Sequence, residues 1–318
     1  MKMPSRRRAR WIGGLLLLAH LGCAATPYHY GQFRGAASDA DPPPSVVIEY
    51  GQPNKTLDRI AWVAGAPARI FPLTAKINNH QLSPESAEKL RAYLEKNQLT
   101  DVYVYVNHYD PSGQWRRLRK NELVSPLWRY SFGVFSFVGY TVLPSRVFGG
   151  DRYNPYTNSL YLNSDVPAVA LHEAAFAKDI HARKLPGTYA AINDIPGLGL
   201  WRRSLAVSDV LGYARVENDW ETERQTYRVL YPRMGAESTA VAAPLVGAWW
   251  AGPVLGLGGA AVGHVTGRTL AARRAAEIQD STSPVEKPTS DVQQASYIEP
   301  EPPKPEPAES IPVRLPPP

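Results

Sequence analysis

Apolar residues recur along this chain at two periods. Ala87, Leu90 and Leu94 fall on one face of a helix that Ser83 opens as N-cap, with Pro84 at the first helical position and Glu85 in the first turn; the helix is expected to end near Asn97. Val102, Val104 and Val106 then alternate with Tyr103 and Tyr105, the period-two signature of a strand. Val46 to Tyr50, Arg59 to Val63 and Ser159 to Asn163 read as further short strands. Pro111-Ser112-Gly113 reads as a turn, after which Trp115 to Leu118 pairs back as a hairpin. Tyr130 to Leu143 is uncharged and aromatic-rich but too short to span a bilayer, so it reads as a buried strand or a wall of a cleft. Pro167 opens a helix that runs past Asp179, and Pro186-Gly187-Thr188-Tyr189 is a turn. Helical segments follow from about Leu198 to Val216 and from Trp220 to Leu230, the latter with Glu221 and Glu223 where the helix dipole favours acids. The pattern predicts an α+β domain over residues 46–235, with the helix after Pro167 packed on a small mixed sheet.

From Ser238 to Gly267 there is no formally charged residue, which is long enough to cross a bilayer. Gly252, Gly256, Gly259, Gly263 and Gly267 repeat largely every fourth place, a spacing that lets helix backbones approach closely in lipid. The segment 238–267 is therefore expected to be a glycine-rich membrane helix able to self-associate. A re-entrant hairpin, or a helix buried in an oligomer, fits the same pattern. Arginines flank it on both sides, so charge gives no orientation. Residues 280–318 turn polar and then proline-rich and read as a disordered spacer.

Charge changes the picture at the other end. The chain has 318 residues and a formal net charge of +6. Lys2, Arg6, Arg7, Arg8 and Arg10 stand in the first 22 residues without an acid, so the remainder is close to neutral and no nucleic-acid partner is expected. With Trp11 to Leu21 behind them, these residues resemble a bacterial export signal over 1–25. Leu21-Gly22-Cys23 resembles the end of a lipobox, which makes Cys23 the acylation site and membrane lipid a partner; His20 departs from that motif, and cleavage after Ala25 is the alternative. Residues 26–45 read as a tether. Cys23 is the only cysteine, so no intrachain disulfide and no thiolate metal cluster can form.

The helix after Pro167 carries His172-Glu173 directly behind the strand at Ser159 to Asn163. A strand leading into a helix marked His-Glu resembles the gluzincin-like zinc metallopeptidases of the HExxH type. In that family two histidines one turn apart bind zinc and the glutamate activates water. The position one turn on is Phe176, which cannot ligate a metal. The family's third ligand, a Glu on the following helix, would fall at or near Arg203. The resemblance, over roughly residues 150–235, extends to Ala177-Lys178-Asp179 and Pro186-Gly187-Thr188-Tyr189 and implies a degenerate relative within a group of bacterial envelope lipoproteins.

At about 100° per residue, His172, Phe176 and Asp179 share a helix face and His181 lies opposite. Loss of zinc would leave Glu173 a buried carboxylate needing a cation, so a Glu173–Arg203 or Glu173–Arg202 pair is expected in its place. The alternative keeps a mixed zinc site of His172, Asp179 and Asp209, with Glu173 catalytic. His172 can equally be a core histidine bonded to backbone. The expected protein is an exported, membrane-anchored cell-envelope protein with no cofactor, a non-catalytic scaffold or binding module. A divergent zinc-dependent hydrolase is the alternative.

Overall fold

The computed structural model describes residues 27–32, 46–52, 54–143, 147, 150–195, 197–245 and 251–282. The segment expected as an export signal, Cys23 and the chain beyond residue 282 lie outside the described residues. The chain divides into two compact units, Met1–Ala275 and Ala276–Pro318, and the first holds the fold.

In chain order the elements are β1 (Ile48–Tyr50), α1 (Lys55–Ala64), α2 (Ala66–Ile70), α3 (Pro84–Lys96), β2 (Tyr103–Val106), α4 (Pro111–Lys120), α5 (Pro126–Tyr130), α6 (Phe132–Val142), β3 (Arg152–Asn154) and β4 (Ser159–Leu162). Helices α7 (Pro167–His181), α8 (Pro186–Asn193), α9 (Gly199–Val216) and α10 (Trp220–Gln225) follow. A π-turn (Thr226–Leu230) then leads into α11 (Tyr231–Leu245), and α12 (Gly252–Thr282) completes the set. The architecture is α+β as expected, mostly helical around one small mixed sheet. Strand order is β1-β2-β4-β3, with β1, β2 and β4 parallel and β3 antiparallel to β4.

The two faces of the sheet have different chemistry. Val104, Val106, Leu160 and Leu162 join Leu90, Leu94, Leu171 and Ile180 of α3 and α7 in the main core. Tyr105 and Tyr161 point the other way and form a separate cluster with Tyr140 of α6. Helix α7 is buried along most of its length, because α3 covers one side, α9 another and the sheet a third.

Several segments expected as strands or turns are helical. Arg59 to Val63 belongs to α1, where Asn54 caps the first turn by accepting from Leu57 N at 3.1 Å. Pro111 to Leu118 is no hairpin: Asp110 caps α4 by accepting from Gly113 N at 2.9 Å, and Pro111 occupies the position where a missing N–H costs nothing. Tyr130 to Leu143 is mostly α6, with Gly133 and Tyr140 facing inward while Phe135 is 81% exposed. Pro186 likewise starts α8.

The glycine-rich segment is divided rather than continuous. Helix α11 ends at Leu245, α12 begins at Gly252, and α12 folds back along the π-turn and α11. Among the described residues no helix is long and apolar enough to cross a membrane. Gly259, Gly263 and Gly267 pack closely within the chain. A Cβ on Gly259 would strike Gly235 O and Thr239 Oγ1, one on Gly263 the Tyr231 carbonyl, and one on Gly267 the Tyr227 carbonyl. Gly256 faces Ala236 and Phe71 more loosely, and Gly252 meets nothing.

The expected tether also begins differently. Residues 27–31 lie on the surface of α3, α7 and α9, with Tyr28 Oη donating to Asn97 Oδ1 at 2.8 Å and Gly31 N to the same oxygen at 2.9 Å.

Candidate functional site

Helix α7 brings His172 and Glu173 into the core, 8% and 7% exposed. His172 Nδ1 lies 3.1 Å from Glu173 Oε1, and Glu173 Oε2 accepts the Tyr153 backbone N–H at 3.1 Å. The second bond fixes α7 to β3 and commits the other carboxylate oxygen. Burial alone would raise the Glu173 carboxyl. The bond and charge of His172, with the charges of Arg233 and Arg202, outweigh that and hold it at about 2.

One turn on from His172 stands Phe176, 3% exposed. Tyr153 meets its ring edge-to-face, with centroids 5.4 Å apart. The Arg202 guanidinium carbon lies 3.4 Å from the ring centre. A flat, desolvated guanidinium over an aromatic face is a favourable cation–π arrangement. Arg202 thus joins this centre by stacking, with its charge acting on Glu173 through space.

The expected Glu173–Arg203 pair does not form. Arg203 donates to Glu237 of α11, and Arg233 Nε lies 3.4 Å from the other oxygen of the same carboxylate. Arg233 is held above its ordinary pKa: burial opposes its charge, but Glu237, Glu173 and Asp151 together outweigh it. Asp151 accepts from Asn163 N at 2.8 Å and Ser164 N at 3.0 Å, and also from Ser164 Oγ. Three acids (Glu173, Asp151, Glu237) and three arginines (Arg202, Arg203, Arg233) therefore balance one another around the helix. Arg233 and Glu237 were not singled out from the sequence. Their one local mark is an i,i+4 spacing of opposite charges.

The other two expected ligands do not join His172. Asp179 accepts from Tyr189 Oη at 2.6 Å and from Arg183. Asp209 accepts from Lys178 Nζ at 2.6 Å and from Tyr93 Oη. Burial raises the Asp209 carboxyl, with Lys178 and Tyr93 working against it. Lys178 also donates to the His29 carbonyl at 2.6 Å and lies 4.0 Å from the Tyr28 ring centre, so this ion pair clamps the N-terminal segment. His181, on the opposite side of α7, bonds Ala177 O and Asp101. Among the described residues no three His, Cys, Asp or Glu side chains converge as a metal site.

Chemically, the centre is closed. Its carboxylate oxygens are bonded and its aromatic face is covered, and the surrounding charges cancel. No protein-family model, curated protein or solved structure matches this chain.

Proposed function

We propose that this is a non-catalytic cell-envelope protein, a scaffold or binding module built on a degenerate metallopeptidase-like domain. The observation that carries the reading is the Arg202–Phe176 stack beside Glu173. In a working HExxH site the positions of Phe176 and of a residue facing it from the next helix supply metal ligands, and the glutamate is free to take a proton from water. Here an aromatic ring and a cation take those places. Glu173 has one oxygen on His172 and the other on a backbone N–H. A cation already beside the carboxylate opposes a second one by charge alone. The export-type N-terminus and Cys23 support attachment to lipid at the membrane surface.

The test is metal content. The full chain, purified without chelators, is expected to carry no stoichiometric zinc, and a Phe176→His, Arg202→Glu variant to acquire it. Zinc near one equivalent in the wild type, lost in His172→Ala, would overturn the reading in favour of a divergent zinc hydrolase.

A further inference from the structure

The second face of the sheet carries a site that the His-Glu centre does not use. Tyr105 and Tyr161 are register partners on β2 and β4, with ring centroids 5.9 Å apart, under the cover of α4 and α6. At the edge of this layer opens a cavity of about 410 Å3 whose wall includes Tyr103, Arg116, Arg117, Lys120 and Thr157.

The charges on that wall are unequal. Arg116, Arg117 and Lys120 all come from α4, and none forms an ion pair with a described residue. Two carboxylates share the wall. Asp101 Oδ2 accepts from Asn158 Nδ2 at 2.8 Å and lies 3.3 Å from His181 Nε2, and with Glu122 it sets two carboxylates against three cations. Asp110 caps α4 with Oδ1, which accepts from Gly113 N and Ser112 Oγ, while its Oδ2 lies beside Gly113 close to Arg117 Nη1 and its charge acts on Arg116.

Arg117 is also held in place. Its guanidinium carbon lies 4.4 Å from the Tyr105 ring centre and 5.0 Å from that of Tyr103. An arginine pinned on aromatic faces loses little freedom when it binds an oxyanion, and its planar fork matches carboxylate and phosphate. Buried polar atoms without partners occur on Arg117 itself, on the preceding turn of α4 and on the ring it covers. They are Arg117 Nε, both amide atoms of Gln114 one turn earlier, and the Tyr105 hydroxyl. Thr157, 2% exposed, stands on the cavity wall with its hydroxyl beside that of Tyr161. Native interiors leave few such atoms, and a cluster of them beside uncommitted cations is a cost that a polar ligand removes.

We infer that this cavity binds the oxyanion of a small ligand, a phosphate or carboxylate group, with Arg117 as its fixed partner and Arg116 and Lys120 closing on it from the surface. The inference goes beyond the proposed function and does not depend on the state of the His-Glu centre.

Inorganic phosphate is the probe. Calorimetric titration of the full chain at constant ionic strength is expected to give saturable 1:1 binding, accompanied by a rise in melting temperature. Acetate titrated in the same way separates a carboxylate preference from a phosphate one. Arg117→Gln and Lys120→Gln should each weaken binding on the order of tenfold or more, while Arg119→Gln, on the same helix but outside the cavity, leaves it unchanged. Lys120 is exposed, so its variant keeps the test decisive if Arg117→Gln fails to fold. Saturable binding of neither anion would overturn the inference, as would equal binding by the wild type and Lys120→Gln.

Discussion

Arg202 stacks on Phe176, its guanidinium carbon 3.4 Å from the ring centre, one helical turn on from His172. If the contact stabilises the core, the two residues are energetically coupled. A double-mutant cycle of Phe176→Leu and Arg202→Met, followed by urea unfolding, should return a coupling of about 1–2 kcal/mol. A value near zero would make the stack a bystander.

Acid should act through Glu173. Its carboxyl is held at about 2 against an ordinary 4.5, so the folded state favours the ionised form. That contribution is complete above pH 4.5 and is lost as pH falls towards 2. It amounts to roughly 3 kcal/mol. Asp209, raised by burial, contributes with the opposite sign, so wild type must be compared with Glu173→Gln. The variant should be less stable at neutral pH and show a flatter loss of stability between pH 5 and 2, measured by chemical denaturation at each pH. Parallel pH curves would show that Glu173 does not set the acid response.

Two adjacent glycines make a controlled pair on α12. Gly259 has a carbonyl and a hydroxyl where a Cβ would go, whereas Gly258 has nothing within 4 Å. Gly259→Ala should cost about 1–3 kcal/mol or force the helices apart. Gly258→Ala should gain up to about 1 kcal/mol from helix propensity. Thermal unfolding of the two variants reads the difference. Similar melting temperatures would mean that α12 does not pack on α11 in solution.

The N-terminal segment offers a protease test. Tyr28 packs on Tyr213 and near Gly212, and lies beneath the Lys178–Asp209 pair. Tyr28→Ala, or Lys178→Met, should release residues 27–31 and speed cleavage there, while the rest of the domain resists digestion. Removing one partner of a buried ion pair costs about 3–5 kcal/mol, so Lys178→Met should also lower the melting temperature. An unchanged cleavage rate in Tyr28→Ala would show that the segment is not held.

Local signals carried the legible part of this fold. Ser83 and Pro84 announce α3, and Ser83 does accept from Ser86 N at 3.3 Å. The alternation at Val102 to Val106 places valines on the core face and tyrosines on the other, as found in β2. The misreadings came from passing over caps. Asn54 and Asp110 are both helix starters, the latter followed by proline, yet the short apolar runs behind them read as strands. In α6 no charged residue marks a period, and Ser136 and Thr141 alone do not separate helix from strand.

The site was legible as an address and much less as a set of partners. His172, Glu173 and Phe176 follow from spacing along one helix. That Arg203 turns to Glu237, Arg202 to Phe176 and Arg233 towards Glu173 depends on how α9 and α11 cross α7, which no local pattern encodes.

The π-turn at Thr226–Leu230 has a geometric consequence for the helix pair behind it. Tyr227, Tyr231 and Gly235 recur every fourth residue and meet Gly267, Gly263 and Gly259 in antiparallel order. On a regular α-helix a four-residue step overshoots a full turn by about 40°, so a row of such contacts spirals off the seam. A π-turn takes more than four residues per revolution and winds the row back. The inserted residue works as a phase corrector, holding Tyr227 on the same face as Tyr231 and Gly235 against the glycines of α12. A one-residue deletion within it would turn Tyr227 away from Gly267 while leaving every glycine in place.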